Sequence, residues 1–303
     1  MAAIFGSMMK LDDLTGAPLP QLRPRQPDSH KGDYGRALVI GGSLGLSGAI
    51  AMAGKATLRS GAGLVTLAVP RSVQDVVAAF EPAYMTRGLA DAEGRISASA
   101  ADELIALSQH ATTLALGPGL GRSPSLTKFV VRLYGEVDKP MVVDADGLFA
   151  LAEKEAAIAT PRGPRVITPH PGEFTRLTGE PYDAAKRAEA AAKLAQRDAT
   201  KNTVVVLKGH RTVVTDGSRM SVNQTGNPGM ATGGTGDVLT GVITGLLCQG
   251  LSPFDAARLG VHIHGRAGDL AAEELGQVSM IASDLLEYLP RAFQSLSYTA
   301  PRP

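Results

Sequence analysis

Asp237 closes the string Gly233-Gly234-Thr235-Gly236-Asp237, and its neighbours decide what a carboxylate there could do. Downstream, Val238, Leu239, Val242, Ile243, Leu246 and Leu247 recur at helical spacing, so the glycines stand at a loop-to-helix junction. The first N–H groups of a helix have no intrahelical partner and its dipole favours negative charge, so the junction is suited to an anion. A carboxylate in that first turn repels a bound phosphate unless something neutralises the pair. That is the setting of a base beside a transferring phosphoryl group. The same residues also fit a tight turn with Asp237 capping the helix.

Further candidates lie elsewhere in the chain. Lys208-Gly209-His210-Arg211-Thr212 follows a β-branched run at 203–207, so Lys208 either ends on the same rim as Asp237 and meets phosphate oxygens or is an ordinary hairpin lysine. Asp144 and Asp146 could hold Mg²⁺ through water, since Mg²⁺ usually takes one or two carboxylates plus substrate phosphates. Equally, Asp146 could cap the following helix. His170, held between Pro169 and Pro171, is either a turn residue whose ring bonds backbone or a contact to a polar substrate. His262 and His264 point about 200° apart on a helix and should not share a metal; packing or a subunit contact is expected of them.

The elements that must position these residues alternate. A β-type run, RALVI, ends in Gly41-Gly42-Ser43 and is followed by a small-residue helix at 47–60. Strands are expected at 64–69, 113–116, 141–143, 166–168 and 203–207, then a hairpin of 212–215 and 219–222 tipped by Asp216-Gly217. Helices are expected at 72–80, 98–108, 124–134, after Glu173, 183–199 (amphipathic and exposed), 252–274 and 282–293. This alternation predicts one α/β domain with a central, mostly parallel sheet. In such sheets ligands lie beyond the carboxyl ends of the strands, where the polar or glycine-rich turns 41–48, 117–121, 144–147, 168–173, 208–212 and 225–237 fall. The glycines at 41, 42, 45 and 48 do not keep GxGxxG spacing, which argues against a Rossmann dinucleotide site.

Composition narrows the classes. With 303 residues, 44% apolar, 19% charged and a formal net charge of +1, the chain is of ordinary globular type. Lys and Arg are scattered and aromatics are only 4% with no Trp, so neither a nucleic-acid surface nor a base-stacking platform is expected. Cys248 is the single cysteine, which fits a reducing compartment. No apolar run reaches bilayer length, and 1–29 lacks the order of a secretory signal, so a cytoplasmic protein is expected. Pro18, Pro20, Pro24 and Pro27 with Asp12 and Asp13 make 1–29 read as a loose extended arm before a domain of 30–303.

Taken in order, KGDYGRALVIGGS, LRSGAGLVT, LGPGLG, VVDADGL, TPHPGEF, VLKGHRT and GGTGDVLTG resemble the NAD(P)H-hydrate dehydratase family of the ribokinase-like superfamily, over about 30–293. The resemblance implies a ribokinase-like three-layer α/β/α sandwich without the epimerase domain fused to this enzyme in many bacteria. It implies repair of hydrated cofactor, (6S)-NADHX or (6S)-NADPHX, to NADH or NADPH. ADP or ATP, with Mg²⁺, would supply the phosphoryl group, releasing phosphate and AMP or ADP. Carried over residue by residue, Asp237 would be the base, with Gly234, Thr235 and Gly236 stabilising the moving phosphoryl group. Lys208, Gly209, His210, Arg211, Thr212, Asn227 and Gly236 match the nucleotide segments; Ala49, Ile50, Gly119, His170 and Asp237 match positions that hold the hydrated dinucleotide. Some members have Ala at position 50. Relatives further suggest a homotetramer. Two rivals share parts of the pattern: a vitamin-precursor or sugar kinase of the same superfamily, and a non-catalytic adenine-nucleotide sensor.

Overall fold

The computed structural model describes residues 11–296. Its strands are β1 (Asp12–Asp13), β2 (Arg36–Ile40), β3 (Leu64–Pro70), β4 (Met85–Leu89), β5 (Asp91–Ala92), β6 (Arg95–Ile96), β7 (Thr113–Leu116), β8 (Met141–Val143), β9 (Arg165–Ile167), β10 (Thr203–Leu207), β11 (Val213–Thr215) and β12 (Arg219–Val222). Its α-helices are α1 (Ser47–Arg59), α2 (Gln74–Ala78), α3 (Ala101–Ser108), α4 (Pro124–Glu136), α5 (Asp146–Ala152), α6 (Pro171–Thr178), α7 (Arg187–Ala195), α8 (Thr235–Cys248), α9 (Pro253–Leu275) and α10 (Ala282–Gln294). All strands but β5 and β6 join one ten-stranded sheet in the order β1-β12-β11-β10-β9-β8-β7-β2-β3-β4. From β10 through β4 every neighbouring pair is parallel.

The central strands are buried along their whole length, which is why they read as apolar runs rather than as alternating patterns. Alternation still sorts their side chains between faces. Val39, Ala115, Val142, Val166, Val204 and Val206 join one core with α1, α8, α9 and α10. Leu38, Ile40, Leu116, Val143, Ile167, Val205 and Leu207 join the other with α3 to α7. The result is a three-layer α/β/α sandwich. Cys248 lies buried at the end of α8, and burial pushes its thiol up to about 12, so the thiol stays protonated. No helix among the described residues is long and apolar enough to cross a membrane.

The chain runs β2, β3, β4 towards one edge, then returns through β7 to the opposite side of β2 and continues through β8, β9 and β10. The strand order thus reverses between β2 and β7, the place where ligands collect in such sheets. There the two turns meet: Gly42 N–H donates to Pro118 O and Ser43 Oγ to Gly119 O, each at 2.8 Å.

Three features depart from sequence expectation. β4 went unpredicted because it is an edge strand, half exposed, whose residues carry no clear apolar pattern. The helix expected over 183–199 is shorter and buries Ala191, Ala192, Leu194 and Ala195; Asp198, whose carboxylate accepts from Thr200, Asn202 and Thr203, already belongs to the turn into β10. The proline-rich segment is not loose where it is described. Asp12 and Asp13 extend the sheet alongside β12, and the buried Arg258 guanidinium donates to the carbonyls of Leu14, Ala17 and Pro18. An unpaired strand edge and a buried guanidinium both need backbone partners, and this segment supplies them. Residues 1–10 of the expected arm lie outside the described residues.

Candidate active site

Helix α8 begins as the glycines predicted. Gly234 is its N-cap at φ 97°, and no side chain caps it, so Asp237 is not the cap but a first-turn residue. A side chain at Gly234 would be strained by that left-handed backbone and would place a Cβ 2.5 Å from Met52 Cε of α1. Gly234→Ala is therefore expected to lose about 1–2 kcal/mol from backbone strain alone. Thermal unfolding would read this, together with lost turnover as the α8 amides move; an unchanged melting temperature would contradict it.

The carboxyl ends of β8 and β10 bring Asp144 and Lys208 to this helix start. Lys208 Nζ donates to Asp144 Oδ1 at 2.7 Å and lies 3.7 Å from Glu173 Oε2. Thr240 Oγ1 donates to Asp144 Oδ2 at 2.8 Å. A Cβ on Gly236 would sit 3.3 Å from Lys208 Nζ, so the glycine lets the ammonium come up against the helix terminus. The hairpin-lysine alternative is thereby removed: Lys208 is largely buried among carboxylates.

This packing sets the protonation of the group. Burial raises the Asp237 carboxyl to about 7; Asp144, Asp146 and Glu173 add to the rise and Lys208 opposes it. Glu173 is likewise raised, by burial first, against the pull of Lys208. Burial pulls Lys208 down, but Asp144, Glu173 and Asp237 outweigh it and hold the ammonium above its ordinary value. A carboxyl poised near neutrality beside a fixed cation is what a general base requires.

A cavity of about 450 Å³ opens beside this cluster, walled by the Lys208–Thr212 turn, the Asn223–Pro228 loop, Gly236 and His264. His264 Nε2 lies 2.9 Å from Thr235 O, and burial pushes the imidazole down to about 4, so the neutral ring donates to that carbonyl and ties α9 to the start of α8. Its expected packing role is thus a structural one at the cavity wall, which the sequence did not reveal. Arg187 Nη1 donates to His210 O at 2.5 Å and Nη2 to Arg211 O, so α7 grips the Lys208–Thr212 turn through its backbone. Asn227 spends its side chain locally: Nδ2 donates to Asp269 Oδ1 at 3.1 Å and Oδ1 accepts from Gly229 N–H at 3.0 Å.

Residues 37–291 match the sequence profile of the NAD(P)H-hydrate dehydratases. The chain belongs to the NAD(P)H-hydrate dehydratase family. It is 48% identical over 280 residues to the bifunctional NAD(P)H-hydrate repair enzyme Nnr of Moorella thermoacetica, covering 91% of this chain and 52% of the relative. It is 41% identical over 273 residues to Nnr of Escherichia coli, covering 89% and 50%. The chain thus spans about half the length of the curated relatives it matches. Among solved structures it is similar to the ADP/ATP-dependent NAD(P)H-hydrate dehydratase of Bacillus subtilis co-crystallised with ATP/Mg²⁺, at 34% identity and a TM-score of 0.79, covering 95% of this chain and 100% of that one.

Of the residues that the resemblance matches to the dinucleotide, Ala49 and Gly119 lie against each other. A Cβ on Gly119 would meet Ala49 Cβ at 3.1 Å, so the turn after β7 lies on the first turn of α1. The Ile50 side chain is fully buried and packs towards Gly42. His170 caps α6: its Nδ1 accepts from Gly172 N–H at 3.0 Å and Glu173 N–H at 3.3 Å, while its N–H donates to Glu173 Oε2 at 2.8 Å. The neutral ring therefore carries its hydrogen on Nε2, which lies 3.5 Å from Glu173 Oε1 on a half-exposed side chain. Of the two sequence alternatives for His170, the structure realises the backbone bond, through Nδ1.

Proposed function

We propose that this chain dehydrates (6S)-NADHX or (6S)-NADPHX to NADH or NADPH at the expense of ADP or ATP. The observation that carries the proposal is the meeting of the Asp237 carboxyl, the Lys208 ammonium and the uncapped start of α8 beside a cavity walled by the Lys208–Thr212 turn. Asp237 takes the proton of the ring hydroxyl, and the freed oxygen attacks the terminal phosphorus as its bond to the nucleotide breaks. Phosphate then leaves the ring carbon in place of hydroxide. Loss of a proton from the adjacent carbon restores the double bond. Lys208 and the amides of Thr235, Gly236 and Asp237 stabilise the negative charge on the moving group. The adenosine nucleotide occupies the cavity, and the Ala49–Gly119 wall with His170 Nε2–H holds the dinucleotide.

Mg²⁺ would neutralise charge on the nucleotide phosphates. Asp146 Oδ2 accepts from Gly121 N–H at 2.9 Å and Oδ1 from Arg122 Nε at 2.6 Å, and both oxygens of Asp144 are also engaged. No group of three metal-binding side chains occurs among the described residues. These residues fit an ion that arrives on the nucleotide, with Asp144 and Asp146 at most beyond its water shell. The Bacillus subtilis relative crystallised with ATP/Mg²⁺ supports that reading.

Purified protein given NADHX, ADP or ATP, and Mg²⁺ should release one phosphate for each reduced nicotinamide recovered by absorbance. Accumulation of a phosphorylated small molecule without that recovery would favour a kinase. Nucleotide binding without any phosphate release would favour a sensor.

A further inference from the structure

Asp144 is 1% exposed at the end of β8, and each of its oxygens is committed to a different element: Oδ1 to Lys208 of the β10 turn and Oδ2 to Thr240 of α8. Thr240 is fully buried and stands three residues after Asp237, so one helical turn puts both on the same face of α8. The helix that presents the proposed base thus also orients, through one hydroxyl, the carboxylate that holds the lysine.

We propose that Thr240 and Asp144 are positioning residues that fix the Lys208 ammonium where the phosphoryl group passes, an inference that rests on the phosphoryl-transfer reading above. A lysine ammonium sits on a flexible four-carbon stem and is placed only by what grips it. A carboxylate bonded through one oxygen can still rotate. One bonded through both oxygens to separate elements cannot, and the lysine it holds is fixed with it. Glu173, at 3.7 Å, attracts the ammonium without directing it. Thr240 acts on the reaction only through Asp144 and Lys208.

The test compares Thr240→Val, Thr240→Ser, Asp144→Asn and the double variant T240V/D144N in NADHX-dependent phosphate release. Thr240→Val is expected to lower kcat about tenfold with KM for ADP within about threefold, because the lost bond to a charged group is felt where the lysine meets the transferring phosphoryl. Thr240→Ser keeps the hydroxyl and should retain most of the wild-type kcat. Adding Thr240→Val to Asp144→Asn should cause no further loss, since both act through one contact. Unchanged kcat in Thr240→Val, equal impairment in Thr240→Ser, or additive losses would each overturn the inference. Should the wild type not turn over NADHX, the proposed function falls. Crystal structures of Thr240→Val and Thr240→Ser then decide the inference alone: Lys208 Nζ leaving Asp144 Oδ1 only in the valine variant supports it, and the same placement in both overturns it.

Discussion

Asp237→Asn is expected to lower kcat by about 10²–10⁴-fold, the usual worth of a positioned general base, while leaving the Kd for ADP nearly unchanged. Asparagine keeps the size and shape of the side chain but cannot accept the hydroxyl proton. Because the carboxyl is pushed up to about 7, kcat/KM of the wild type should fall about tenfold per pH unit below that value and level off above it. A profile flat down to the ordinary carboxylate range would remove Asp237 as the base.

The same shift makes a stability prediction of opposite sign. The folded Asp237 carboxyl holds its proton up to about 7 whereas the unfolded one releases it near 3.8, so the native state binds more protons between those values. Wild-type stability therefore decreases as pH rises through that window. Asp237→Asn removes the buried charge and should be more stable above neutrality, on the order of 2 kcal/mol after allowance for solvent screening at a half-buried rim. The gain should vanish near pH 4. An inactive variant that is also more stable is the outcome for a residue kept for chemistry; an inactive and unfolded one would point to packing instead.

Lys208→Met is expected to be the most destabilising of these changes, costing about 3–5 kcal/mol at pH 7, because it leaves buried carboxylates without their shared cation. In the wild type the ammonium is held above its ordinary 10.5, so its contribution is complete at neutral pH and is lost only as pH rises through the still higher folded value. In the variant, Glu173 and Asp237, already raised by burial, lose the cation that opposes that rise and hold protons more tightly in the folded chain than in the unfolded one. Stability should therefore recover on acidification towards the ordinary carboxylate range. Denaturant unfolding at two pH values reads this. A cost that is small and the same at both would mean that Lys208 is solvated rather than enclosed.

The starts and ends of most elements could be read in advance because they depend on neighbours in the chain. Gly234 before the apolar period of α8, Ser252-Pro253 before α9 and the β-branched run of β10 each carry their own signal. β1 and β4 carried none, since an edge strand is defined by the partner it finds. Among site residues, Glu173 was signalled by its place three residues after His170, the spacing of a reciprocal cap. Thr240 was signalled only by its place one turn after Asp237. His264 gave no usable sign.

The amino-acid sequence by itself determined the alternation of strands and helices, the start of α8 at the glycines with Asp237 close behind, and the rim on which the polar turns gather, because these follow from local spacing and backbone geometry. Only the tertiary structure decided that Lys208, 64 residues from Asp144, and Thr240, 96 residues from it, would close on the same carboxylate. It alone decided that Asp237 would hold its proton to about 7. Proton affinity depends on which charges are near and how much water is left among them, and both are set by packing between distant segments rather than by the order of residues along any one of them.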